Sequence, residues 1–426
     1  MKRSIAIITA LGLLITLTPT SSQAASSAKD IALAKKYQMP LNALLVYRAV
    51  TASVTKAPKI SVKLDKYVAP TITNNWPADL LTVLTHGITY WQDQYHPSAP
   101  VPTFFFTEKD RDWLKNTLTT VGIPADNTLA DFDRNVNLNG PATTWGGSSN
   151  ENGRVFNVYL NGTSTPAWMN FPASQVSAHE WTHNAQAAIA GSTEVLPCWY
   201  KEGSATYFGT TLAAKSESDY SATRAATLIW QSNAFSANPP NFLLYNEKAI
   251  TGGYESYFDS RDTTYPANQC GPDGAYSLGY LATEYLMELK GKAAQISFMK
   301  LARTSPWRDA LASVYGKKWP ILRKEIALYI RQSAKLIKAP SVPANAASTS
   351  QTPTPQPVTA SPSASASPSQ SQSPSVSTPT AEADGAPPGA AAIGRSCLDA
   401  GVEGFSWKQE KIKCGLNNGK LQWLAA

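Results

Sequence analysis

The chain has 426 residues, 43% of them hydrophobic, with 37 Lys and Arg against 30 Asp and Glu and a net charge of +7. That apolar share excludes a wholly disordered protein and is enough for one large folded body or two smaller ones. Two of the positive charges, Lys2 and Arg3, stand at the extreme N-terminus and the rest are spread thinly, with no basic run interleaved with aromatics, which argues against nucleic acid as a partner.

Residues 1–24, MKRSIAIITALGLLITLTPTSSQA, read as a secretory signal peptide. A positive start is followed by an apolar run from Ile5 to Leu17 and by Ser22-Gln23-Ala24, a small-x-small cleavage signal, with the cut after Ala24 or Ala25. The run is too short for a comfortable membrane span. No second span of that kind follows, so the expected product is secreted, with no transmembrane segment in the mature chain. Residues 25–75 form an N-terminal segment, and residues 76–338 the main domain.

Within that domain, Trp76 to Tyr95 has apolar residues at helical spacing. VPTFFFT, Val101 to Thr107, is a short apolar run and reads as a buried strand. Asp110 to Val121 is helical, and Arg154 to Leu160, RVFNVYL, alternates as a strand does. That strand is expected to be the sheet edge along which an extended peptide pairs. From Pro172 onward the pattern is mostly helical. Strands thus precede helices, and the expected fold class is α+β, a small mixed sheet with a mostly helical second half.

Residues 339–392 are Pro, Ser, Ala, Thr and Gln with almost no large apolar side chain. Such a stretch cannot offset its conformational entropy by burial, and it is expected to be a disordered linker stiffened by its prolines. Residues 393–426 are too few for a self-sufficient core. Alternation around Lys408 to Lys413, then Asn417-Asn418-Gly419 before Lys420, points to a small β-hairpin unit. This tail resembles the short Cys-Gly-Trp modules that end many secreted actinobacterial proteins, which implies contact with the cell envelope; a stabilising cap without a partner is the other reading.

Four cysteines, Cys198, Cys270, Cys397 and Cys414, in an exported chain imply two disulfides. The pairs Cys198–Cys270 and Cys397–Cys414 are preferred because the linker separates them, and no Cys-x-x-Cys favours a metal site of cysteines. A Cys397–Cys414 bridge would stabilise the tail by about 3 kcal/mol.

The chemistry centres on Ser177 to Gln186, SAHEWTHNAQ. Gly191 can end this helix, and residues four apart share a helix face, so His179 and His183 can grip one metal ion. Glu180 lies beside a ligand without being one and can face a water on the metal. The surrounding Val176, Ser177, Trp181, Thr182, Asn184 and Ala185 are uncharged, unlike an ordinary solvated helix face. A catalytic zinc takes three protein ligands and keeps a position open. No histidine follows His183, and the upstream His86 and His96 read as surface or capping residues. In PCWYKEGSATYFG, Glu202 comes after eighteen intervening residues, where a second, antiparallel helix brings it back as the third ligand. Gly203 and Ala205 are small enough for close helix approach.

HEWTH together with WYKEGSATYFG resembles the gluzincin zinc metallopeptidases, which include thermolysin-like enzymes and zinc aminopeptidases. The resemblance covers roughly Trp76 to Lys335 and is strongest at the zinc motifs; it implies a zincin-like fold, one Zn²⁺ and hydrolysis of peptide bonds. It also implies that Tyr276, in the Tyr-x-x-Gly of Tyr276 to Gly279, stabilises the oxyanion. Glu180 would then act as general base and pass the proton to the leaving amine. A Cys198–Cys270 bridge would tie the segment of the third ligand to that of Tyr276. The chain departs from the aminopeptidases in lacking a Gly-x-Met-Glu-Asn strand, with only Glu151 nearby, so endopeptidase and aminopeptidase both stay open. It also departs at Lys201, where asparagine often precedes the third ligand. The competing function is a catalytically inactive, peptidase-like surface protein whose C-terminal module binds the envelope.

Overall fold

The computed structural model describes residues 27–58, 62–97, 99–139, 145–151, 154–161, 173–233, 247, 252–260, 274–337, 403–405, 411–417 and 420–425. The signal peptide (1–24) and the linker (339–392) of the sequence reading lie outside these residues, as do Pro172, Cys270 and Cys397. By its contacts the chain divides into two units, residues 1–351 and 352–426.

The first unit is mixed α and β, mostly helical, with a small four-stranded mixed sheet. It begins with α1 (Ala28–Lys36) and α2 (Leu41–Lys56). Strand β1 (Leu64–Val68), helix α3 (Trp76–Trp91) and strand β2 (Val101–Phe106) follow. Helices α4 (Arg111–Thr120) and α5 (Asp126–Asn139) lead to the hairpin of β3 (Trp145–Glu151) and β4 (Arg154–Leu160). The helical half comprises α6 (Gln175–Ala190), α7 (Cys198–Ala213), α8 (Glu217–Asn233) and α9 (Gly253–Ser260). It ends with α10 (Ser277–Ala302), α11 (Trp307–Tyr315) and α12 (Trp319–Leu336).

The sheet runs β1-β2-β4-β3, with β1, β2 and β4 parallel and β3 antiparallel to β4. Every residue of β2 is buried because the sheet is covered on both faces. Phe104 and Phe106 pack with Leu114 and Leu118 of α4 and Leu129 and Phe132 of α5. Phe105, pointing the other way, packs with Tyr159 of β4 and Leu80 of α3. The strand of residues 154–160 is therefore interior, flanked by β2 and β3, and not the open edge expected from its alternation. The edges are β1 and β3, and the WGGSSNE sequence of β3 has too little β-branched or aromatic content to announce a strand.

Residues before Trp76 are woven into this unit: β1 pairs with β2, and Arg48 of α2 bridges Asp30 of α1 and Glu217 of α8. Helix α7 is the hub of the helical half, with every residue from Trp199 to Ala213 buried. A helix enclosed on all sides is apolar or internally paired around its whole circumference, so its one carboxylate, Glu202, has a reason to be there beyond solubility. Where α7 crosses α10, a Cβ on Gly203 would lie 2.1 Å from the Gly279 carbonyl carbon, and one on Gly279 would lie 1.9 Å from the Trp199 carbonyl oxygen. Only glycine at both positions allows the two helices to approach this closely.

In the second unit the described backbone forms an antiparallel sheet of β5 (Glu403–Phe405), β6 (Lys411–Asn417) and β7 (Lys420–Ala425). Asn417 pairs with Lys420, and residues 418–419 between them lie outside the described residues. Among the described residues, no helix is long and apolar enough to cross a membrane.

Candidate metal centre

Helix α6 presents His179 and His183 one turn apart, and its end is set by Gly191 in the left-handed region at φ 78°. Helix α7 then returns alongside α6 and delivers Glu202 between the two imidazoles. The His179 and His183 Nε2 atoms are 3.1 Å apart, and Glu202 Oε2 lies 3.5 Å from the first and 3.3 Å from the second. A tetrahedral ion with bonds of about 2.0–2.2 Å sets its ligands roughly 3.3–3.5 Å apart. The three donor atoms therefore already outline one face of such a tetrahedron, and the group could hold a metal ion.

The two imidazoles are oriented from behind. Gln186 Oε1 lies 2.9 Å from His183 Nδ1 and accepts its proton, while Gln186 Nε2 donates to the Lys201 carbonyl at 2.9 Å and to Ser204 Oγ at 2.8 Å. Thr206 Oγ1 donates to the Glu202 carbonyl at 2.8 Å, which leaves it to accept from His179 Nδ1 at 3.3 Å. With Gln186 and Thr206 each holding a proton on Nδ1, both Nε2 atoms face the same point, the tautomer a metal ligand needs once the ion replaces any proton there. Sequence reasoning missed Gln186 and Thr206. Gln186 was within reach of helix arithmetic, since it lies three residues past His183 on the same face.

These groups line one cleft of about 400 Å³ together with Glu180, Tyr276 and Gly146, Gly147 and Ser148 of the edge strand. All five site residues expected from sequence, His179, Glu180, His183, Glu202 and Tyr276, thus meet in one place. Thr128, Asp131, Arg134 and Asn135 of α5 also line the cleft, polar positions that carry no signal in the sequence. The Tyr276 ring stacks on His179 with centroids 5.9 Å apart and 15° between planes. Gly279 of the same motif sets the crossing of α10 on α7, and so places Tyr276 beside the ligands.

Burial raises the Glu180 carboxyl above its ordinary range, against the pull of His179 and His183, and with Glu202 adding to the rise; the Ser148 backbone N–H bonds it. Burial also opposes a charge on His183, but the Glu202 carboxylate outweighs it and pushes the imidazole up to about 9. For Glu202, the two imidazoles outweigh burial and hold its carboxyl well below the usual range. Burial, reinforced by Glu202 and Glu180, keeps the Tyr276 hydroxyl protonated far above its ordinary value, as a donor must be.

Helix α6 is fastened to the edge strand by a polar chain through the sheet. Asn184 donates to Ser148 Oγ, Ser148 Oγ donates to Asn157 Oδ1 at 2.7 Å, and Asn157 Nδ2 donates to Thr103 Oγ1 at 3.3 Å. Asn157 and Thr103 are fully buried, so each needs its partner. This chain fixes β3 relative to Glu180, and no local pattern in the sequence reveals it.

The remaining histidines take no part. His86 Nδ1 lies 2.9 Å from the Leu212 carbonyl oxygen and ties α3 to the end of α7, and His96 is exposed. Cys198 opens α7, four residues before Glu202; the side chain of Cys414, like Cys270 and Cys397, is outside the described residues, and so are both expected pairings. No protein-family model matches the chain, and neither a curated protein nor a solved structure shows significant similarity to it.

Proposed function

We propose that the protein is a zinc-dependent metallopeptidase with a zincin-like domain, in which His179, His183 and Glu202 hold one Zn²⁺. The observation that carries this reading is the convergence of three donor atoms at 3.1, 3.3 and 3.5 Å, with Glu180 and Tyr276 in the same cleft. When bound, zinc supplies a Lewis acid that polarises a carbonyl and lowers the pKa of a coordinated water to about 7.

The chain's own residues do the rest. Glu180, its carboxyl raised by burial, takes a proton from the attacking water and returns it to the leaving amine. Tyr276 keeps its proton and donates a hydrogen bond to the developing oxyanion. The outer edge of β3, which pairs with no further strand among the described residues and lines the cleft, offers backbone groups to an extended peptide. Gln186 and Thr206 hold the imidazoles so that no reorientation accompanies the reaction.

The same reading makes the protein a secreted hydrolase, with the C-terminal unit contacting the cell envelope. Zinc analysis of the purified protein, with a diverse peptide mixture digested and the cut ends sequenced, tests it. About one zinc per chain and internal cuts are expected, and cuts confined to N-termini would make it an aminopeptidase. No zinc and no cleavage would leave an inactive surface protein.

A further inference from the structure

Lys201 and Glu202 are successive residues of α7, and successive helical side chains point about 100° apart. The lysine nevertheless folds back until Nζ lies 3.8 Å from Glu202 Oε1. It is only 4% exposed, in a helix buried from Trp199 to Ala213. Burying an ammonium is costly unless opposite charge stands near it, and among the described residues one such charge is a carboxylate of the metal centre.

The two oxygens of Glu202 are thereby divided. Oε2 faces the imidazoles at 3.5 and 3.3 Å, and Oε1 turns toward the ammonium. The Lys201 backbone has a separate task, accepting from the Gln186 side chain that orients His183. Main chain and side chain of one residue therefore reach two of the three ligands.

We infer that Lys201 is a positioning residue that commits Glu202 to bind a divalent cation through Oε2 alone. This rests on the zinc reading above.

The test compares full-length wild type with Lys201→Met and Lys201→Arg, each loaded with zinc and shown to be folded by circular dichroism. Zinc affinity is measured by chelator competition, and the ligand set by X-ray absorption at the zinc edge. Wild type is expected to show a single carboxylate oxygen. Lys201→Met is expected to hold zinc about 10–100-fold more weakly, as loss of a ligand's supporting partner does, and to gain a second, longer carboxylate contact. Lys201→Arg keeps the charge and should stay within about threefold of wild type. A folded Lys201→Met protein with unchanged or tighter zinc binding and the wild-type spectrum overturns the inference. So do two carboxylate oxygens in wild type, which decides the matter even if the methionine variant does not fold. A wild type that takes up no divalent ion removes the zinc reading itself, a failure seen before any variant is compared.

Discussion

Among the described residues, Glu202 on α7 and Glu284 on α10 are both buried in the helical half, and their surroundings differ in kind. Glu284 is surrounded by donors: Arg224 grips both its oxygens at 2.9 and 2.6 Å, and the Tyr220 and Tyr329 hydroxyls add bonds of 2.8 and 2.6 Å. Arg224 and Glu284 are 2% and 0% exposed, so this cluster is closed. Glu202 instead faces two imidazoles whose protons are held on the far side by Gln186 and Thr206, and its neighbourhood opens on a cleft. Burial of a carboxylate is common to both. What separates a candidate site from a structural cluster is that possible ligand atoms converge on one point in the first, while donors answer acceptors in the second.

The largest effect that would separate the two clusters is on turnover. Glu180→Gln should keep about one zinc per chain and lose about 10²–10⁴-fold in hydrolysis, the usual worth of a positioned acid–base group; undiminished turnover would refute its role. On the closed side, Arg224→Met should cost about 3–5 kcal/mol in denaturant unfolding, because it strands a buried carboxylate, while activity per folded molecule stays the same. A loss of activity without a loss of stability would erase the distinction between the clusters.

Smaller changes sharpen it. Tyr276→Phe should lower kcat with zinc content unchanged, the missing donor being worth about 3 kcal/mol in the transition state. Gln186→Ala should leave the fold intact and weaken zinc binding by about 10–100-fold, measured by chelator competition. The smallest effect is on pH in the metal-free protein. His183 is raised from 6.5 to about 9, so its contribution to stability is complete below pH 6.5 and is lost as pH rises through 9. Glu202 is depressed from 4.5, so its contribution is complete above pH 4.5 and is lost on acidification below that. The Tm of chelated protein should therefore be flat between those limits and fall on both sides, and His183→Gln should remove the alkaline fall. An alkaline fall that persists in that variant would assign it to other groups.

The sequence by itself determined what depends on short spacing. His179 and His183 share a face because 3.6 residues make a turn, and Glu202 returns to them because the next helix packs against the first. The buried β2 and the helical second half were legible for the same reason, as local periods. Tertiary structure decided what depends on pairing across distance. The alternation of residues 154–160 marks a strand but not its neighbours, and only the register shows it to be interior and β3 to be an edge. Asn184 reaches Thr103 through Ser148 and Asn157, and Glu284 meets Arg224 sixty residues away, with nothing local to join them. In sequence Lys201 only marks a departure from the family pattern, and the enclosure of α7 shows it to be buried. Which faces meet is set by the packing of whole elements, and that information is spread over the chain rather than written at any one position.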